Sequence, residues 1–222
     1  MTGMFQDRRD AGIQLAAQLS RYAGDPNVLV LGLPRGGVPV AYQVALSLHA
    51  PLDVFVVRKL GVPGHRELAM GAIASAGIRV LNDEVVKALG IAMATIDAVA
   101  AEEQLELDRQ QRAYRDEAPF PDLTNRTLIV VDDGLATGST MRAAVKALRC
   151  MAPRRIVAAA PVAASETCRS LAFEADEVVC VSAPELFHSV SAWYQAFSQT
   201  TDDEVRFLLE TARRVPVLRR TL

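Results

Sequence analysis

Short apolar runs alternate with longer amphipathic stretches along most of this chain. Continuous runs of Val, Ile, Leu and Ala are typical of strands that are buried on both faces of a sheet. Such runs predict strands at residues 28–33, 53–58, 128–131, 155–161 and 177–181, and residues 69–81 predict one or two further short strands. The stretches between and around them predict helices at 5–22, 38–49, 83–89, 95–115, 141–149, 166–173 and from about 202 onward. Residues 59–68 follow neither pattern, because Gly, Pro and charged residues fill them, and they predict a loop.

The order of these elements predicts the architecture. Residues 28–58 form a β-α-β unit, and such units build parallel sheets. We therefore expect an α/β fold with a doubly wound, mostly parallel sheet, in one domain over residues 1–222. Its core would span about 28–181, after the helix at 5–22 and before a small hood and C-terminal segment over about 182–222. Ligands of such sheets bind where the strands end at their carboxyl edge.

Composition narrows the range of partners. The chain has 222 residues, 50% of them hydrophobic, and a formal net charge of −2. This balance gives no reason to expect a nucleic-acid partner, and no apolar run is long enough to suggest a membrane. The first twenty residues contain charged side chains and no apolar signal segment, so a cytoplasmic protein is expected. The three cysteines and three histidines show no metal-binding spacing.

The stretch from residue 128 to residue 140 carries the strongest chemical signal. An apolar strand ends in Asp132 and Asp133, and a short loop of small and hydroxyl residues then leads into a helix. Backbone N–H groups at such a helix start, together with the helix dipole, favour a phosphate. Two carboxylates beside that phosphate suit a pair of sugar hydroxyls. The alternative is an ordinary strand–turn–helix in which the acids only cap the helix.

Other phosphate motifs fit this stretch less well. A Walker loop requires Lys after its second glycine, whereas Ser139 follows Gly138 here. The dinucleotide fingerprint Gly-x-Gly-x-x-Gly is also absent, and its acidic residue belongs after the glycines.

The stretch instead resembles the phosphoribosyl pyrophosphate (PRPP) signature of type I phosphoribosyltransferases. Gly134 departs from that signature, which usually has an aliphatic residue there. The resemblance implies that Asp132 and Asp133 bind the ribose hydroxyls and lie near Mg²⁺, directly or through water. It also implies that Asp133 assists catalysis as a base or through metal-bound water. The residues that would hold the 5-phosphate are Ala136, Thr137, Gly138, Ser139 and Thr140.

A second loop, after the first predicted strand, resembles the pyrophosphate loop of the same family. It contains Arg35, Gly36 and Gly37, and the resemblance implies that these residues hold pyrophosphate. Consecutive glycines let the backbone approach an anion, and a guanidinium binds phosphate oxygens well. A non-proline cis peptide is expected at or near Arg35–Gly36. The alternative is a plain glycine turn with Arg35 in solvent.

A third loop resembles the flexible catalytic loop of orotate-type phosphoribosyltransferases, although its spacing differs. It begins at Arg58 and Lys59 and continues through His65 and Arg66. The resemblance implies that Arg58 binds pyrophosphate and that Lys59, His65 and Arg66 act as catalytic cations which close over it. Cations in that position stabilise the charge that develops on the leaving group. The alternative is a solvated basic surface loop.

Four aromatic residues close to the C-terminus leave two interpretations open. Phe187, Trp193, Tyr194 and Phe197 either form a hood that stacks on a planar base or pack into the core. Trp193 and Phe197 stand four residues apart, as on one face of a helix, and this favours core packing.

Over nearly its whole length the chain resembles a bacterial group of short, incompletely characterised phosphoribosyltransferases. The resemblance rests on residues 131–138 together with Trp193, Tyr194 and Phe197. It implies transfer of 5-phosphoribosyl from PRPP to a nitrogen acceptor, with Mg²⁺ as cofactor, in a homodimer. The sequence does not name the acceptor. The alternative function is a non-catalytic PRPP sensor on the same fold.

Overall fold

The structure, a computed structural model, describes residues 5–115 and 120–214, apart from the side chains of residues 66 and 67. Its strands are β1 (Val28–Gly32), β2 (Leu52–Val54), β3 (Val57–Val62), β4 (His65–Ala74), β5 (Ile78–Leu81), β6 (Thr127–Val131), β7 (Arg155–Val162) and β8 (Glu177–Ser182). Its α-helices are α1 (Arg8–Gln18), α2 (Gly37–Leu48), α3 (Asp83–Ala88), α4 (Met93–Arg115), α5 (Ser139–Arg149), α6 (Ser165–Leu171) and α7 (Asp202–Arg214).

Five strands form a parallel sheet in the order β2-β1-β6-β7-β8. Both faces are covered, and alternate residues of one strand point to different cores. In β1, Val28 and Val30 belong to the core with α2 and α4, whereas Leu29 and Leu31 belong to the core with α5. This two-sided burial explains why the strand is apolar at every position. The predicted α/β fold with a doubly wound, mostly parallel sheet is confirmed.

A second, antiparallel sheet contains β3, β4 and β5. It packs against α4 and α5. The prediction of a single strand over 53–58 is wrong, because β2 ends at Val54 and the chain crosses to the second sheet through buried Phe55 and Val56.

The predicted loop over 59–68 is also wrong. Residues 57–74 form a β-hairpin in which Val62 pairs with His65 around Pro63 and Gly64. Leu60 and Met70 are fully buried beneath it. Gly61, Pro63 and Gly64 concealed this alternation in the sequence, and the pairing register also shifts on both sides of Gly61.

Smaller differences concern helix limits. Helix α4 begins at Met93, two residues before the expected Thr95, and the helix predicted over 5–22 divides into α1 and a short 3₁₀ turn at Ser20–Tyr22. The aromatic segment contains only a 3₁₀ turn, Ser191–Trp193, so its expected helix face is wrong. None of the helices in the described ranges combines the length and apolar character that bilayer crossing requires.

Candidate active site

Two loops meet at the carboxyl edge of the parallel sheet. Strands β1 and β6 are neighbours in register, with Gly32 opposite Val131. The backbone N–H of Leu33 donates to the carbonyl of Val131 at 2.9 Å, so the pairing continues one residue past β1. The two signature loops that were identified separately in the sequence therefore leave the sheet side by side.

The loop after β6 encloses a cavity of about 190 Å³, which we call the loop cavity. All five residues expected to hold a 5-phosphate line it, as does Asp132. It opens at the start of α5, an 11-residue helix whose first N–H groups have no intrahelical acceptor; the Ser139 N–H has the Thr137 hydroxyl oxygen at 3.4 Å. A small anion-sized cavity at a helix N-terminus is suited to phosphate.

Helix α6 supports this loop from behind. The Thr167 hydroxyl donates to the carbonyl of Ala136 at 2.5 Å. Gly138 has a φ of +69°, and a Cβ atom there would stand 2.6 Å from Thr167 Cγ2. A side chain at residue 138 would therefore be strained by the backbone and crowded by α6.

The two acids differ in their surroundings. Burial, followed by the adjacent Asp133 charge, raises the pKa of Asp132, whose Oδ1 accepts from the Asp133 N–H at 2.9 Å. Burial also raises the pKa of Asp133, but its hydrogen bond to Arg8 opposes this effect. Both side chains are mostly buried, and 15% of the Asp133 side chain is exposed.

The loop after β1 lies against Asp133. Its cis peptide joins Pro34 to Arg35, one bond before the expected position at Arg35–Gly36. A Cβ atom on Gly36 would overlap Asp133 Oδ2, so glycine is needed for this close approach. Arg35 is partly exposed, and its guanidinium lies 4.0 Å from the Asp202 carboxylate at the start of α7.

A second cavity, of about 470 Å³, adjoins Asp133. We call it the arginine cavity, because Arg8 and Arg35 both line it. Its other lining residues are Gly36, Asp133, Val190, Phe197, Gln199 and Thr200. Two guanidinium groups and a glycine backbone suit an anionic ligand.

Sequence reasoning missed Arg8 and Tyr194 as residues of this site. The Arg8 Nε donates to Asp133 Oδ2 at 2.8 Å, although the two residues are 125 positions apart. The Tyr194 hydroxyl donates to the Asp133 carbonyl at 2.5 Å. No local motif could have revealed either contact. The core-packing interpretation holds for Tyr194, which is 5% exposed and packs on Phe5.

The unusual glycine of the signature also has a partner. A Cβ atom on Gly134 would overlap the Val190 side chain, which lines both cavities. Val190 thus occupies the space that an aliphatic residue at position 134 would take.

The hairpin residues lie elsewhere. Arg58 forms an ion pair with Glu103 of α4, with its NH2 at 2.7 Å from Oε2. Lys59 is half-buried in β3, and His65 is exposed at the hairpin turn. Among the described residues that line the loop and arginine cavities, none is Arg58, Lys59 or His65. The Arg66 side chain lies outside the described residues.

Asp132 and Asp133 suit a metal ion that is also coordinated by the substrate. Within residues 5–115 and 120–214, no group of three or more His, Cys, Asp or Glu side chains could hold a metal ion. Mg²⁺ commonly takes one or two carboxylates and completes its shell with water and substrate phosphates. Asp132 and Asp133 match that donor set, although Arg8 already uses one oxygen of Asp133.

Comparison with known proteins decides the family. A model of the phosphoribosyl transferase domain matches residues 64–195, more than half of the chain. The chain belongs to the phosphoribosyl transferase family. The matched region contains the signature loop and Tyr194, whereas Arg8 and the loop at 34–37 precede it.

Two relatives extend the comparison over nearly the full chain. A Mycobacterium tuberculosis H37Rv protein, provisionally named a phosphoribosyl transferase, is 48% identical over 211 residues. These cover 95% of this chain and 47% of that protein, so this chain spans about half the length of the curated relatives it matches. The crystal structure of TT1426 from Thermus thermophilus is similar, with 40% identity and a TM-score of 0.84. The match covers 93% of this chain and 97% of TT1426.

Proposed function

We propose that this phosphoribosyl transferase family member transfers the 5-phosphoribosyl group from PRPP to a nitrogen acceptor and releases pyrophosphate. The observation that carries the proposal is the loop cavity. It combines a phosphate-sized space at the start of α5 with the carboxylate of Asp132, and the next residue, Asp133, lines the neighbouring arginine cavity. A ribose 5-phosphate has the matching layout, with a phosphate at one end and two hydroxyls near it.

Each group has a role that its chemistry supports. The backbone of residues 136–140 would hold the 5-phosphate, while Asp132 and Asp133 accept hydrogen bonds from the ribose hydroxyls. Arg35, Gly36 and Gly37 would hold the pyrophosphate in the adjoining arginine cavity. As the bond from C1 to pyrophosphate breaks, positive charge grows on the ribose ring and negative charge on the leaving group. Asp133 and Arg35 would stabilise these opposite charges.

Mg²⁺ would be held by Asp132 and Asp133, directly or through water, together with the phosphates of the substrate. When bound, the ion neutralises charge on the departing pyrophosphate. The remaining work falls to the protein: it orients the ribose through its hydroxyls and anchors the phosphate at α5.

Lys59, His65 and Arg66 remain candidates for closing over pyrophosphate. Because residues 57–74 form a hairpin, such closure would move the hairpin as a unit rather than an open loop. Arg58 would first have to leave Glu103.

The test is a turnover screen with PRPP, Mg²⁺ and a panel of bases and amides, in which pyrophosphate release is measured. We expect release that depends on one acceptor and that is lost when Asp132 and Asp133 are both changed to Asn. Absence of both PRPP binding and pyrophosphate release would overturn the proposal.

The position of the hairpin cations favours a second candidate, a PRPP sensor. Arg58, Lys59 and His65 stand outside both cavities, and a sensor has no leaving group to neutralise. Tight PRPP binding without release by any acceptor, measured by calorimetry in the same samples, would favour the sensor over the transferase.

A further inference from the structure

Arg8 connects three distant parts of the chain at the candidate site. From the first residue of α1, its Nε donates to Asp133 Oδ2 at 2.8 Å and its NH1 donates to the carbonyl of Ser198 at 2.6 Å. The guanidinium carbon also lies 3.9 Å from the centre of the Phe197 ring. Only 12% of the Arg8 side chain and 15% of the Asp133 side chain are exposed. A guanidinium with a carboxylate, a carbonyl and an aromatic face around it has little freedom to turn.

Backbone pairing fixes this arrangement from both ends of the chain. Phe5 exchanges hydrogen bonds with the C-terminal segment: its N–H donates to the Trp193 carbonyl at 2.9 Å, and its carbonyl accepts from Gln195 N–H at 2.8 Å. The Ala196 N–H donates to the Gln6 carbonyl at 2.9 Å. We call residues 5–8 and 193–198 together the clasp. The clasp presents Arg8 to Asp133 as part of a folded unit.

Charge explains what Arg8 does for its neighbour. Asp132 and Asp133 are adjacent carboxyl groups that are both mostly buried, so their negative charges repel each other in a site of reduced solvation. The Arg8 guanidinium offsets this repulsion at Asp133, and the contact lies beside Gly36. The contact uses Oδ2, and a carboxylate offers about four lone-pair sites, so capacity remains for ribose hydroxyls.

We propose that Arg8 is a positioning residue: it holds the Asp133 carboxylate in the orientation that receives the ribose hydroxyls. This inference rests on the proposed function, because it assigns the ribose to Asp133. It adds to the site a residue from the N-terminal helix, outside the segment that the family model matches.

The test compares two probes that differ in one hydroxyl. Ribose 5-phosphate and 2-deoxyribose 5-phosphate are titrated by calorimetry into the unaltered protein and into Arg8→Met. Loss of groups that orient a ligand-binding side chain typically weakens affinity by about 10- to 100-fold. We expect a loss of that size for ribose 5-phosphate and a clearly smaller loss for the deoxy sugar. Arg9→Met removes an exposed arginine from the next position and should change either affinity by less than about twofold.

The outcomes separate the alternatives. Equal losses for both sugars would overturn the inference, since they would mean general attraction of phosphate or a structural role for Arg8. Tighter binding by Arg8→Met would also overturn it and would make Arg8 a latch that competes with the ribose. If Arg8→Met does not fold, Arg8→Lys decides by the same comparison of the two sugars, with smaller losses expected. Binding of neither sugar by the unaltered protein would overturn the proposed function, and this inference with it.

Discussion

The loop cavity and the arginine cavity share Val190 in their linings but are built in different ways. Nine of the ten residues that line the loop cavity lie within residues 132–141. The arginine cavity takes its walls from α1, from the loop after β1, from Asp133 and from residues 190–200. The first depends on local backbone conformation and the second on contacts between distant segments. Substitutions in the two cavities should therefore affect binding and stability differently.

The largest effect is expected where the two cavities meet. Asp132→Asn combined with Asp133→Asn removes two charged hydrogen-bond acceptors, each worth about 2 kcal/mol. PRPP affinity should fall by about 1,000-fold, or about 4 kcal/mol, in calorimetric titration. The folded state should persist in circular dichroism, because Asn keeps the size of each side chain and its amide oxygen can still accept the hydrogen bond from Arg8.

Asp83→Asn is the matched control, since Asp83 is an exposed carboxylate at the start of α3. It should leave PRPP affinity unchanged. If the double variant bound PRPP as tightly as the unaltered protein, the ribose would have to lie elsewhere.

Gly138→Val tests the local cavity. The new side chain would meet Thr167 and narrow the space at the start of α5. Gly90→Val is the control, because Gly90 also has a positive φ, of +59°, but nothing lies within 4 Å of its Cβ position. Both variants place a side chain on a residue with a positive φ, which lowers the free energy of unfolding by about 1 kcal/mol. In denaturant unfolding, the free energy of unfolding of Gly138→Val should be about 2 kcal/mol lower than that of Gly90→Val, because the new side chain overpacks against α6. Gly138→Val should also no longer bind ribose 5-phosphate.

Similar unfolding free energies for the two glycine variants would mean that α6 can shift to accommodate the new side chain at little cost in free energy. Retained ribose 5-phosphate binding in Gly138→Val would contradict the assignment of the loop cavity to phosphate.

Gly134 lines the loop cavity and faces Val190, which lines both cavities, so this pair tests the contact between them. Gly134→Val should destabilise the fold by overpacking against Val190. Combination with Val190→Ala should restore part of the lost stability, because the smaller alanine leaves room for the new valine side chain. Urea unfolding of the two single variants and the double variant should give a coupling energy of about 1 kcal/mol. Strict additivity would mean that residues 134 and 190 do not share that space.

The smallest effect is expected at the hairpin. Arg58→Gln breaks a partly exposed ion pair with Glu103 and should cost less than about 1 kcal/mol in thermal unfolding. Glu103→Gln is the matched control, since it breaks the same pair and keeps the arginine. If Arg58→Gln alone weakened PRPP binding, Arg58 would act on the ligand despite its place beside α4.

The same contrast explains what the sequence could predict. The strand, acids, loop and helix of residues 128–149 were predictable because each property depends on neighbours in the chain. The part of the hairpin over residues 59–68 was missed because Gly61, Pro63 and Gly64 are typical of a loop, whereas burial of Leu60 and Met70 comes from packing on distant helices. Arg8 carries no local signal at all, since only the folded chain brings α1 to Asp133.

Tyr194 shows an intermediate case. The spacing of Trp193 and Phe197 favoured core packing for this aromatic segment, and the Tyr194 ring does pack on Phe5 and Phe197. Its hydroxyl, however, reaches the Asp133 carbonyl. A tyrosine at the edge of the core often packs through its apolar ring and forms a hydrogen bond through its hydroxyl. Composition predicts the first property, and only the folded structure reveals the second.

The clasp also carries the chain's single tryptophan, Trp193. Its indole is half-buried, and its carbonyl is bonded to Phe5 in the segment that leads directly to Arg8. Emission from an indole shifts with the polarity around it, so the natural protein contains an optical reporter beside the candidate site. Trp193 fluorescence can therefore report a change in the surroundings of the clasp on ligand binding or unfolding, with no label attached.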